Sequence, residues 1–322
     1  MQPRYGFYGR LKAEFPSQLL VDVAEGCNLE CIHCPHVQFK RSKHYAGRTL
    51  DVVLNEKLVE EVREHGQGYT QYIRYASNGE PLIHPGIYGM MEYAKLRSGV
   101  VITLTTNGIL MTQNSIDRLL SAGVDIVDIS IDAFTLETYA KIRVKGRLLT
   151  VRDNVLKLIK MVRQRGVKTK VVVSYVEQPL NQHETTDFEN FWKNEGADFV
   201  VIRRRHSCSG SKVELADSQR AQNAKERRRP CLYPWERIVL NARGEIAFCP
   251  SDWVHGSYIA DYSDVTIYST WQGEFYKGLR GAHLSSNFKN YQFCGQCPDW
   301  EATRWGHEGR SYADMIEEFK ER

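Results

Sequence analysis

Cys27, Cys31 and Cys34 stand in one short stretch, Cys27-x3-Cys31-x2-Cys34, directly after the apolar run at residues 19–23. A strand that delivers three thiols into the loop at its end commits that end of the fold to a metal centre. Three thiolates on one loop can hold three corners of a cubic 4Fe-4S cluster, leaving one iron without a protein ligand and open to a chelating small molecule. Clustered cysteines also serve structural zinc, which wants four ligands and usually pairs them as C-x2-C; His33 or His36 can complete such a site.

A second group lies far along the chain: Cys231, Cys249, Cys294 and Cys297, the last two as Cys-Gly-Gln-Cys. Four thiolates would satisfy every iron of a second cubane, or equally a single zinc. Of the eight cysteines only Cys208 is left over. Disulfides are not expected, because the cysteines fall in short-spaced groups suited to metal and the chain shows no export signal.

The spacing between the two groups is filled by an ordered alternation. Residues 19–203 alternate β-rich runs with amphipathic stretches, which predicts βα units around a parallel sheet. Strands are expected near residues 19–23, 72–76, 101–105, 126–131, 170–175 and 199–203. Helices are expected over Asp51 to His65, Gly86 to Arg97, Gln113 to Ala122, Val151 to Arg165 and Glu184 to Asn194. Thr49 is placed to cap the first helix, and Gly66, Gly123 and Gly166 stand where helices should stop.

Six βα units are too few for a closed eight-stranded barrel, so the expected fold class is α/β, a partial (β/α)6 TIM-like barrel over residues 1–205. In βα barrels reactive groups gather at the C-terminal ends of the strands, where the first cysteine loop falls. Residues 206–230 read as a linker, and residues 231–322 as a smaller second domain. Within it a β-hairpin is expected to turn at Asn241 to Gly244, followed by helices near Thr270 to Ala282 and Ala313 to Lys320. No internal repeat or low-complexity tract is visible.

At 322 residues, with 42% hydrophobic and 25% charged residues, the composition is that of an ordinary globular protein. No apolar run is long enough to cross a bilayer, and residues 1–6 lack the apolar core of a signal peptide, so a cytoplasmic location is expected. The net charge of +4 is modest, and its concentrations at Arg203-Arg204-Arg205 and Arg227-Arg228-Arg229 read as solvated loops rather than a nucleic-acid surface.

Taken with its surroundings, the first cysteine loop resembles that of the radical S-adenosylmethionine (SAM) superfamily, in which the open iron chelates the amino and carboxylate groups of SAM. Ser77-Asn78-Gly79-Glu80-Pro81, after the second strand, is similar to the family's GGEP motif, with Asn78 in place of its first glycine. Thr105-Thr106-Asn107-Gly108 resembles the TNG segment at the end of strand three. The resemblance implies that Gly79, Glu80 and Pro81 meet the methionine ammonium and that Thr106 and Asn107 belong to the same site. It further implies that Ser130 and Asp132 lie near the ribose and methionine groups, that Arg143 pairs with the SAM carboxylate, and that Ser174 and His33 complete the pocket, His33 against adenine. Each of these residues also has an ordinary structural role open to it, such as a turn, a strand-end hydroxyl or a surface ion pair. What ties them together is that they fall at the ends of successive strands.

The second cysteine group resembles the SPASM/twitch extension, in the version with a single auxiliary cluster seen in aminocyclitol and sugar dehydrogenases. That likeness implies two 4Fe-4S clusters, SAM, and a one-electron donor such as flavodoxin or ferredoxin. It implies a 5′-deoxyadenosyl radical that takes hydrogen from a small polar, sugar-like substrate, with the auxiliary cluster accepting a second electron. Arg203, His206 and Asp252 are candidates to assist proton removal at the barrel mouth. Cys208 can be a plain loop residue, a redundant cluster ligand, or a hydrogen-atom donor that would make the enzyme an epimerase. A ribosomal peptide is the other substrate class open to such an enzyme.

Overall fold

The structure, a computed structural model, describes residues 14–76, 78–212 and 228–302. Six parallel strands run in sequence order: β1 (Gln18–Val21), β2 (Tyr72–Tyr75), β3 (Val101–Thr106), β4 (Ile126–Ser130), β5 (Lys170–Glu177) and β6 (Phe199–Arg204). Helices connect them: α1 (His36–Lys40) and α2 (Val52–His65) after β1, α3 (Ile87–Arg97) after β2, and α4 (Gln113–Ser121) after β3. α5 (Leu136–Ile142) and α6 (Leu148–Arg165) follow β4, and α7 (Thr185–Glu195) follows β5. This is the partial (β/α)6 barrel that the alternation predicts.

The strand period of two sorts side chains onto two faces. Leu19, Val21, Ile73, Tyr75, Ile102, Leu104, Val127, Ile129, Val171 and Val173 join the large core beneath the helices. Their neighbours Tyr72, Ile126 and Val172 form a small cluster on the opposite, lumen side. Each fully buried Val or Leu contributes about 1.5–3 kcal/mol, so the outer face carries most of the barrel's stability. The lumen can therefore hold polar residues.

The sheet ends at β6 on one side but does not end at β1 on the other. Strand β7 (Arg237–Leu240) pairs in parallel with β1, Leu20 opposite Val239, and β8 (Glu245–Ala247) and β9 (Tyr258–Asp261) extend it antiparallel to nine strands. The hairpin turns where expected, with Gly244 at φ 80° and its amide donating to the Asn241 carbonyl at 2.9 Å. Its first strand thus continues the barrel's own sheet across the stretch read as a linker.

Local details depart from expectation. Asp51 rather than Thr49 caps α2, accepting from the Val53 amide at 2.9 Å, because Thr49 is engaged in a backbone bridge to Ala24. Helix α5, capped by Thr135, was too short to register as a periodic pattern, and α6 starts at Leu148 rather than Val151. The helix expected near Thr270 is two, Ile267–Gln272 and Glu274–Ser285, broken where Gly273 turns to ψ 170°. The helix expected at Ala313 to Lys320 lies outside the described residues.

Candidate active site: two cysteine groups on one cavity

The loop after β1 is fixed from both sides. Glu25 accepts from the amides of Ala46 (2.8 Å) and Arg48 (3.0 Å) and from Arg243 Nε (2.8 Å) on the β7–β8 turn. Burial alone would raise its pKa, but these donors outweigh it and hold the carboxyl below the usual range. On the other side the amides of Glu30 and Ile32 donate to the carbonyls of Val144 and Ile142, both at 3.0 Å. The segment ending α5 thus acts as a template for the cysteine loop.

Cys27, Cys31 and Cys34 all line one cavity of about 450 Å³ at the barrel mouth. Burial pushes the Cys27 thiol up to about 11 and raises those of Cys31 and Cys34 as well. Thiols this buried become thiolates only against a strong positive charge, which is what bound iron supplies while releasing their protons. Among the described residues no three His, Cys, Asp or Glu side chains converge tightly enough to hold a single metal ion. A cubane, whose thiolates sit on different irons, does not ask them to.

The loops after β2 and β3 are knitted to this one. An added Cβ on Gly79 would stand 2.1 Å from the Gly26 carbonyl and 2.4 Å from that of Ala24, so only glycine permits the contact. The Glu80 amide donates to the Gly26 carbonyl at 2.7 Å. Its buried carboxylate accepts from Thr106 Oγ1 (2.6 Å), the Asn107 amide (2.8 Å) and the Leu82 amide (3.1 Å). Burial raises the Glu80 pKa against the pull of those donors. Asn107 Nδ2 then reaches Asn28 Oδ1 in the cysteine loop at 2.8 Å. Gly79, Glu80, Thr106 and Asn107 line the cavity, whereas Pro81 is buried at the start of a short 3-10 turn, off the wall.

After β4 the chain turns sharply at Asp132, φ 63°, whose carboxylate pairs with Arg143 Nη2 at 2.5 Å and accepts from the Val176 amide at 2.7 Å. Arg143 Nη1 points at Cys31 Sγ, 3.5 Å away. His33 Nε2 lies 3.4 Å from Asp132; burial outweighs that carboxylate and depresses the imidazole to about 4, so it is neutral. Two buried nitrogens here, His33 Nδ1 and Arg143 Nε, have no hydrogen-bond partner among the described residues, and both residues line the cavity. Buried polar atoms are rarely left so, and polar groups of a bound cofactor would satisfy them. Ser130 lines the wall, while Asp132 is buried behind it.

Ser174 and Arg203 sit deeper, off the wall, in a lumen network that sequence reading missed. Asp128, wholly buried, accepts from Arg203 Nη2 (2.7 Å) and from Ser174 Oγ, with Arg74 Nη2 3.5 Å away; Arg203 also reaches Ser174 Oγ at 3.1 Å. Arg74 donates to Thr105 Oγ1 at 2.8 Å. An arginine and an aspartate in otherwise apolar buried strands were the available signal. Asp252 is not poised as a base: its oxygens accept from the Val254, Gly256 and Ser257 amides and the Ser257 hydroxyl.

The second cysteine group meets the same cavity through Cys249. Its members act on one another electrostatically: Cys249 with Cys231 and Cys297, and Cys294 with Cys231 and Cys297. Burial is the largest cause raising the thiols of Cys249, Cys294 and Cys297. Cys208 also lines the cavity, within electrostatic reach of Cys34, and its neighbour Ser209 places Oγ 3.6 Å from Cys249 Sγ. His206 faces Asp299 at 3.7 Å and accepts from the Cys208 amide at 3.1 Å; burial opposes its charge, but Asp299 and Cys208 push its pKa up to about 10.

A parallel partial barrel with three clustered thiols at its mouth defines a radical enzyme scaffold, and the pattern of the Radical SAM superfamily matches residues 21–189. The chain belongs to that superfamily. Residues 231–298 match the SPASM iron-sulfur cluster-binding domain. SAM, a 4Fe-4S cluster to bind it and auxiliary iron-sulfur chemistry follow from these two assignments.

Among curated relatives, GTP 3′,8-cyclase of Chlorobaculum tepidum is 30% identical over 182 residues, covering 52% of this chain and 50% of that protein. The tungsten-containing aldehyde ferredoxin oxidoreductase cofactor-modifying protein of Pyrococcus furiosus is 26% identical, covering 57% and 50%. The chain thus spans about half the length of these relatives. Solved structures of the same fold include BtrN in complex with AdoMet and 2-DOIA (TM-score 0.56, 15% identity, 88% of this chain and 93% of that one). SuiB of Streptococcus suis bound to the precursor peptide SuiA superposes with TM-score 0.64 at 16% identity, covering 94% and 73%.

Proposed function

We propose that this radical SAM enzyme dehydrogenates a small polar substrate, sugar- or aminocyclitol-like, with the second cysteine group holding the electron acceptor. The observation that carries the reading is the single cavity of about 450 Å³ walled by Cys27, Cys31 and Cys34 on one side and by Cys249 on another. A volume of this order, shared by SAM and substrate, suits a small molecule better than a peptide. The bound cofactors supply reductive cleavage of SAM, hydrogen abstraction by the 5′-deoxyadenosyl radical, and acceptance of the second electron.

The residues do the positioning. Cys27, Cys31 and Cys34 would hold the first cluster; Gly79, Glu80, Thr106 and Asn107 keep the three loops around the SAM site in register. Arg143, already turned toward Cys31, offers its Nε to the SAM carboxylate, with Ser130 and His33 on the same wall. Cys231, Cys249, Cys294 and Cys297 saturate the auxiliary cluster, which favours electron transfer over substrate ligation. Shielding the site matters because oxygen would trap a carbon radical and oxidise an exposed cluster. The first cluster, when bound, would need an external one-electron donor such as a flavodoxin or ferredoxin.

Epimerisation is the second reading, and one observation favours it: Cys208 lines the same cavity within electrostatic reach of Cys34. A thiol there can return a hydrogen atom to the substrate radical with no net oxidation of the substrate, the thiyl radical so formed taking one electron back through the auxiliary cluster from the external donor and a proton from solvent. The reduced enzyme incubated with SAM and candidate substrates in deuterated water separates the two. Dehydrogenation gives a product two hydrogens lighter, unaffected by Cys208→Ala. An isomer carrying one solvent deuterium, lost in Cys208→Ala, would overturn it in favour of epimerisation.

A further inference from the structure

The loop leaving β6 is bolted to the second cysteine group. Asp299, two residues beyond Cys297, accepts from the Ser207 amide at 2.8 Å and from the Ser209 amide at 2.7 Å. After Ser207 the backbone takes three successive left-handed residues, Cys208 (φ 52°), Ser209 (φ 57°) and Gly210 (φ 94°). Left-handed backbone is unfavourable for residues other than glycine, yet two side chains are kept there. The turn aims adjacent side chains at different cysteine groups: Cys208 within electrostatic reach of Cys34, and Ser209 Oγ at 3.6 Å from Cys249 Sγ, with Cys297 also in reach.

We propose that Ser209 sets the reduction potential of the auxiliary cluster by donating its hydroxyl proton to the Cys249 sulfur. With Cys249 as a thiol, either atom of the pair can donate. Once Cys249 ligates iron it is a thiolate, and only the hydroxyl still has a proton to give. A hydrogen bond to a ligand sulfur stabilises the more negative, reduced cluster and so raises its potential. Arg228 works in the same direction. Its Nη1 is tethered to the Gly295 carbonyl at 2.9 Å, and its charge bears on Cys231, Cys294 and Cys297.

This rests on the dehydrogenase reading for its purpose. The carbon radical left after hydrogen abstraction gives one electron to the auxiliary cluster, its hydroxyl proton passes to solvent, and a ketone forms. A higher cluster potential favours that transfer. Ser209 is therefore a positioning and tuning residue, touching the cluster's ligand rather than the substrate.

The test is an anaerobic EPR-monitored redox titration of the reconstituted holoprotein without substrate, with the first cluster identified by the change SAM causes in its signal. Ser209→Ala and Ser209→Gly both remove the hydroxyl, and glycine tolerates the left-handed backbone. Both variants should retain their iron and lower the auxiliary midpoint by a similar amount. A tenfold loss in the equilibrium for one-electron reduction corresponds to about 59 mV. In deuterated water, both variants should lose one exchangeable deuteron coupling of the wild-type cluster, that of the hydroxyl, and keep those of the Ser251 and Asp299 amides, which also donate to Cys249 and Cys297. An unchanged midpoint in both, a set of couplings in Ser209→Gly identical to the wild type's, or loss of the auxiliary irons from both would overturn the assignment. Because no substrate is present, failure of the dehydrogenase reading would appear in the product mass and leave this titration unaffected.

Discussion

Single buried carboxylates organise this chain at points where several loops meet. Glu184 is one remote from the cysteines: it accepts from Thr138 Oγ1 at 2.6 Å, the Phe134 amide at 2.8 Å and the Thr135 hydroxyl, anchoring the turn that starts α5. Burial works against its ionised form, but these donors prevail and hold its pKa below the ordinary carboxylate value. A carboxyl with a depressed folded pKa stabilises fully above its unfolded pKa, about 4.3, and that contribution fades as pH falls through the folded value. The urea midpoint of the wild type should therefore fall more steeply between about pH 5 and pH 3 than that of Glu184→Gln. Equal slopes would show that Glu184 has no such role.

At the scale of elements, the decisive contact is between backbones. The loop after β2 lies directly on the cysteine loop, with Gly79 against the carbonyls of Ala24 and Gly26. Gly79→Ala must push these loops apart, and the expected result is loss of iron from the first site while Cys231, Cys249, Cys294 and Cys297 keep theirs. Iron analysis with EPR of the anaerobically reconstituted variant measures this; a full first cluster would contradict it. The motif was legible as sequence, but the partner of its glycine was not. Spacing reports that backbone comes close to something, not to what. Cysteine groups were legible because metal ligation demands residue type and spacing together. The lumen network of Arg74, Asp128 and Arg203 was hidden because its members sit on different strands and meet only across the inner face of the curved sheet. Helix α5, at seven residues, was hidden because two turns show too little period to read.

Across the whole molecule, the alternation along residues 19–203 was enough to predict six parallel strands in order, since short right-handed βα connections leave few other arrangements. It could not predict that β7 would lie parallel to β1 and make that strand internal to a nine-stranded sheet. A short apolar run shows its own strand character but not its neighbour. The pairing has a functional consequence: it brings Arg243 to Glu25 beside the cysteine loop and Cys249 to the shared cavity. The first cysteine group and Cys249 of the second thereby line one cavity.

The account stands on the first of those groups holding an open-iron cluster that cleaves SAM. The most direct test is to count 5′-deoxyadenosine formed by the anaerobically reconstituted, dithionite-reduced protein given SAM. Wild type should produce it together with methionine, and Cys31→Ala should produce none. An iron-replete wild type that yields no 5′-deoxyadenosine, or a Cys31→Ala variant that yields as much as wild type, would contradict the account at its base.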